Sequence, residues 1–87
     1  MDREYIVKTV NKALSDEFEL EPSQLAPESH IRDDLHLDSL DMVDMILVLE
    51  QAFHFKLADR TQIQGITTLK DVYDFIEKLR DNGSISN

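Results

Sequence analysis

The chain has 87 residues, of which 18 are Asp or Glu and 9 are Lys or Arg, for a formal charge of −9. That balance argues against a nucleic-acid partner, whose phosphates demand Lys and Arg, and favours partners that present basic patches. No cysteine is present, so disulfides, cysteine metal sites and thiol chemistry of the chain's own are excluded.

The length predicts one small domain with a modest core. The longest apolar run, Met45 to Leu49, is too short to span a bilayer. The N-terminal MDREYIVKTV lacks the long apolar segment of a secretory signal. A monomer in the cytoplasm, without membrane insertion, is the expectation. Two glycines and two prolines disfavour a turn-rich β protein.

In chain order, the first predicted helix covers Arg3 to Phe18, where Ile6, Val7, Val10, Ala13, Leu14 and Phe18 recur at helical spacing. A long connection follows and holds both prolines. Its Leu20, Leu25, Ile31 and Leu35 are too irregularly spaced for a helix and are read as anchors pinning a loop to the core. Loops of that length in small domains are often functional. A second helix is predicted from Ser39 to Phe53, and a short one near Asp59 to Gln64. A last helix starts near Thr68, with Leu69, Val72, Tyr73, Ile76 and Leu79 as its apolar stripe and Asn82-Gly83 as its stop. The predicted fold is all-α: a small four-helix bundle, three helices longer and one short, with a long loop between the first two. The domain is expected to span residues 1–81, with 82–87 a flexible tail.

The second helix has two apolar faces. At about 100° per residue, Met42, Met45, Ile46, Leu49, Ala52 and Phe53 fall on one side. Leu40, Val43, Asp44, Leu47, Glu50 and Gln51 fall on the other. One reading buries the helix on both sides, against which stands the cost of burying Asp44 and Glu50 unpaired. The other makes the second face a docking surface, where acids steer a basic partner and aliphatic side chains supply desolvated contact. At the head of this helix Asp38 suits the N-cap and Asp41 the reciprocal capping position, which leaves the Ser39 hydroxyl free at the first helical residue. A phosphate ester there would meet a favourable helix end.

At these residues the sequence resembles the acyl carrier protein family. The family's L-G-x-D-S-L motif reads here Leu35-His36-Leu37-Asp38-Ser39-Leu40, continues through DMVDMILVLEQAF, and resumes at GITTLKDVYDFI. The resemblance covers about Arg3 to Leu79. It implies that Ser39 bears a covalent 4′-phosphopantetheine drawn from coenzyme A, whose thiol holds acyl cargo as a thioester. It implies that Asp38 helps a phosphopantetheinyl transferase position its metal and donor, and that Leu40 packs beside the arm. It assigns Asp41, Val43, Asp44, Leu47 and Glu50 to partner docking, with acyl-transfer or chain-building enzymes as the basic partners. It places Met45, Ile46, Leu49 and Phe53 where an acyl chain slips between helices. The protein would then be a carrier and not an enzyme.

Departures from the family pattern concern the pathway. His36 stands where the family usually has Gly, Gln51 and Ala52 where fatty-acid carriers tend to have acids, and Lys56 and Arg60 where the surface is usually acidic. One extra residue lies before Ile66. These point to a specialised bacterial carrier for a polyketide, lipid-modification or other dedicated route. The alternatives are an unmodified helical interaction module and a carrier of an aminoacyl cargo. Asp33, Asp34 and Asp38 lack the glycine and terminal glutamate of a calcium loop, so weak divalent binding rather than a specific metal site is expected there.

Overall fold

A computed structural model describes residues 1–57 and 63–85. Helix α1 runs Arg3–Phe18, α2 Ser39–Phe53 and α3 Leu69–Asp81, with a short 3-10 turn at Pro22–Gln24 between the first two. The described residues contain no strand, only an isolated bridge between His30 and Thr68. The fold is therefore all-α, as the periodicity predicted. Most of the short helix expected near Asp59 to Gln64 lies outside the described residues.

Each helix begins where a side chain replaces a missing backbone partner. Asp2 accepts from the Tyr5 N–H at 2.8 Å to start α1. Thr68 and Asp71 form a reciprocal capping box at α3. The helices end on left-handed residues. Glu19 closes α1 at φ 55° and His54 closes α2 at φ 57°. Gly83, at φ 75°, closes α3 with a Schellman pair: the Gly83 N–H donates to Arg80 O at 3.0 Å and the Ser84 N–H to Leu79 O at 2.9 Å. Residues 82–84 thus finish the last helix, and Ile85 packs against the core.

Helix α1 lies against both α2 and α3. Its Ile6, Val10 and Leu14 meet Met45, Ile46, Leu49 and Phe53 of α2 and Leu69, Val72, Tyr73, Ile76 and Leu79 of α3 in one buried cluster. The predicted stripe of the last helix is buried without exception. Tyr73 is the largest fully buried side chain. Its hydroxyl donates to Asn11 Oδ1, and the Arg3 guanidinium sits 5.6 Å from its ring centroid. Among the described residues no buried side-chain polar atom lacks a partner.

The long connection is held from both ends. Ile31, Leu35 and Leu37 are buried, and Leu20 and Leu25 pack partly against the same cluster. The Ile31 N–H donates to Thr67 O at 2.9 Å, the Leu69 N–H to Ser29 O at 3.1 Å and the Lys70 N–H to Pro27 O at 2.8 Å. These bonds tie the loop to the head of α3 and fix its position relative to Ser39.

Candidate functional site at the head of helix α2

The Asp38 carboxylate accepts the Asp41 N–H at 3.0 Å, and the Asp41 carboxylate accepts the Asp38 N–H at 3.0 Å. The Asp41 N–H, foremost, holds the Asp38 carboxyl below the usual carboxylate range. With both flanking acids engaged in the cap, Ser39 is left exposed at the first helical position. Among the described residues its hydroxyl has one side-chain hydrogen-bond partner: Arg32 Nη2 donates to Ser39 Oγ at 3.4 Å.

Arg32 escaped the sequence reading. A signal existed, because it is the one Lys or Arg between Lys12 and Lys56. Its approach to Ser39 depends on the loop being folded back against α3.

The second face of α2 is open. Leu40 is 79% exposed, Val43 and Leu47 42% each, and Asp44 lies exposed among them. The reading that buries α2 on both sides is therefore excluded, because the acids and aliphatics of this face meet solvent. Glu50 differs from the rest of that face. It is half-buried, and its carboxylate accepts the Leu57 N–H at 2.8 Å, tethering the chain that leaves α2. Gln51 and Lys56 are exposed, and Ala52 is half-buried against the core. Arg60 lies outside the described residues.

Met45, Ile46, Leu49 and Phe53 are all buried in the core, at most 2% exposed. A cleft near the head of α2 lies one turn earlier along the helix, at Met42. It has a volume of about 450 Å³ and is lined by Ile31, Leu37, Met42 and Ile66, with His30, Arg32, Asp33 and Thr67 at its polar parts. Pockets of that size accommodate small ligands. It forms where the tied-down loop and the approach to α3 stand off from α2. Sequence reasoning missed it because its walls come from three separate segments.

His36 takes a left-handed conformation, φ 60°, in the turn leading into Ser39. That is the conformation glycine adopts without steric cost, and it supplies the physical reason for a glycine at this point of the motif. Among the described residues no three His, Asp or Glu side chains are grouped to hold a metal ion. No helix among them is long and apolar enough to cross a membrane.

The exposed hydroxyl at a helix head, the cation beside it, the neighbouring apolar cleft and the acidic-aliphatic face together suit a protein that carries a tethered group and is read by partners. The family described as "Phosphopantetheine attachment site" matches residues 8–76. The chain belongs to that family. Its role is that of an acyl carrier, and its prosthetic group is 4′-phosphopantetheine. Among the relatives it resembles, the acyl carrier protein of Coprothermobacter proteolyticus is 44% identical over 77 residues, covering 88% of this chain and 93% of the relative. The acyl carrier proteins of Rubrobacter xylanophilus and Thermosynechococcus vestitus are 36% and 33% identical, each over 87% of this chain and 93% of the relative.

Proposed function

We propose that Ser39 is the attachment residue and that the chain carries acyl groups for a dedicated bacterial lipid or polyketide route. The observation that carries the assignment is the exposed Ser39 hydroxyl at the first residue of α2, released from capping duty by the Asp38–Asp41 pair. In loading, the Ser39 hydroxyl oxygen attacks the pantetheine-side phosphorus of coenzyme A. The pyrophosphate P–O bond breaks, adenosine 3′,5′-bisphosphate leaves with the electron pair, and the serine proton passes to a base of the transferase. Asp38, kept ionised, offers a carboxylate to the transferase-bound metal, and exposed Leu40 offers an apolar contact beside the arm. Once attached, the group supplies a thiol on a flexible tether for thioester cargo, which the cysteine-free chain lacks. The chain itself presents cargo at high local concentration and catalyses nothing.

Asp41, Val43, Asp44, Leu47 and Glu50 form the proposed docking surface, with Asp44 and the aliphatic residues foremost because Glu50 is engaged with Leu57. Cargo enters first at the cleft walled by Ile31, Leu37, Met42 and Ile66. Longer chains reach Met45, Ile46, Leu49 and Phe53 only by displacing core contacts, to which pliable methionines are suited. We place this carrier in the cytoplasm as a monomer, its domain spanning residues 1–81 with 82–85 as the closing turn packed onto it, and with weak divalent binding near Asp33, Asp34 and Asp38.

The test is incubation with coenzyme A, magnesium and a broad-range transferase, followed by intact mass. A gain of one phosphopantetheine unit in the wild type, and none in Ser39→Ala, is expected. A gain that survives Ser39→Ala overturns the site, and no gain in the wild type leaves an unmodified interaction module as the better reading.

A further inference from the structure

Arg32 sits in an acidic stretch, with Asp33 and Asp34 adjoining it in sequence and Asp38 close by, yet it forms no ion pair with a described carboxylate. Its guanidinium is directed to a neutral hydroxyl instead, at the long distance of 3.4 Å. Five N–H donors in a planar fork are poorly used by one hydroxyl oxygen, and they match the oxygens of a phosphate. The side chain is exposed and lines both the cleft next to Ser39 and a shallower surface depression formed with His36, Leu37 and Asp38. It therefore stands at the seam between the attachment point and the apolar channel.

We propose that Arg32 is a built-in phosphate clamp, its guanidinium pairing with the phosphodiester that joins the arm to Ser39 and starting the arm at the mouth of the cleft. The inference rests on Ser39 being the attachment residue. Attachment converts the hydroxyl partner into a diester whose two non-bridging oxygens share one negative charge. The weak neutral contact then becomes a charge-assisted one, shorter and stronger. Arg32 is thus a positioning residue: it orients the first atoms of the arm toward Ile31, Leu37 and Met42, away from free solvent. Because the pair is exposed, its strength falls as salt is added.

The experiment uses the holo form, first verified by intact mass, so that failure of attachment is seen separately. Apo and holo melting temperatures are measured for the wild type, Arg32→Gln and Arg32→Lys at low salt, together with the phosphorus resonance of the diester and the Arg32 Nε–H resonance of the wild type. The apo-to-holo change in melting temperature should be more favourable in the wild type than in Arg32→Gln by about 1–5 °C. Arg32→Lys should fall between them, since an ammonium retains the charge without the fork. The wild-type Arg32 Nε–H resonance should move on conversion to holo, and the phosphorus resonance should move on Arg32→Gln and on adding salt. An unmoved Arg32 resonance in the wild type overturns the clamp, even if Arg32→Gln resists loading. An apo-to-holo change equal in wild type and Arg32→Gln overturns it as well.

Discussion

Asp38 and Asp41 hold each other's backbone N–H groups at 3.0 Å, closing the head of α2 around Ser39 without using the Ser39 hydroxyl. The pair makes the site stable and leaves it reactive. Loss of an N-cap carboxylate typically costs about 1 kcal/mol. Asp38→Ala should therefore lower stability by about that amount in urea titration, and Asp38→Asn, which retains a cap acceptor, by less. An Asp38→Ala protein as stable as the wild type would remove the cap from the account.

Acid should unfold the protein through its caps. The Asp38 carboxyl is lowered from 3.8 chiefly by the Asp41 N–H, and that of Asp71 by the Thr67 and Thr68 N–H groups. The Asp74 carboxyl is lowered first by its bond to Lys70. A carboxyl whose folded pKa is depressed stabilises fully above its unfolded pKa. That contribution is lost as pH falls through the folded value. The loss should thus set in below about pH 4. Thermal melts at stepped pH should show this decline in the wild type and a shallower one in Asp71→Asn.

His36 and His54 occupy left-handed conformations, φ 60° and 57°, that cost an ordinary residue about 1–2 kcal/mol. Glycine removes that cost and returns part of it as unfolded-state entropy. His36→Gly and His54→Gly should each stabilise by roughly 0.5–1 kcal/mol. Lys8→Gly, in the exposed middle of α1, should instead cost about 1 kcal/mol. Chemical denaturation of the three variants checks the sign at each position.

Asp44 lies exposed between the aliphatic residues Val43 and Leu47. Asp44→Lys should slow association with the transferase by on the order of tenfold at low salt, while stability changes by no more than about 0.5 kcal/mol. Added salt should slow the wild type toward the variant. Unchanged association kinetics at low salt would move the docking surface elsewhere.

Gln51 and Lys56 are exposed where an acidic surface would serve the elongation enzymes of a standard fatty-acid synthase, and half-buried Ala52 presents less to a partner. Holo protein should be a poor substrate for those enzymes, and Gln51→Glu with Lys56→Glu should improve turnover several-fold by restoring electrostatic match. Wild-type turnover as fast as that of a standard fatty-acid carrier would make the general role the better reading.

The helices and their limits were legible in the sequence because their determinants are local. Asp38 and Asp41, or Thr68 and Asp71, are three residues apart, and a capping box needs nothing beyond that span. The apolar stripes of α1 and α3 were equally readable, since in each the apolar residues recur at helical spacing along a single face. The exposed face of α2 was foreseen as one of two readings, and packing against α1 decided it. Arg32 and the cleft were different. Their positions depend on the loop's backbone bonds to the segment that leads into α3, such as that from the Ile31 N–H to Thr67 O. Those partners lie far apart along the chain, and no periodicity records which will meet. Met45, Ile46, Leu49 and Phe53 mark the same division. Their apolar character assigned them to the interior, but only the three-dimensional packing decided that they meet the stripes of α1 and α3 there while Met42, one turn earlier, borders an open cleft.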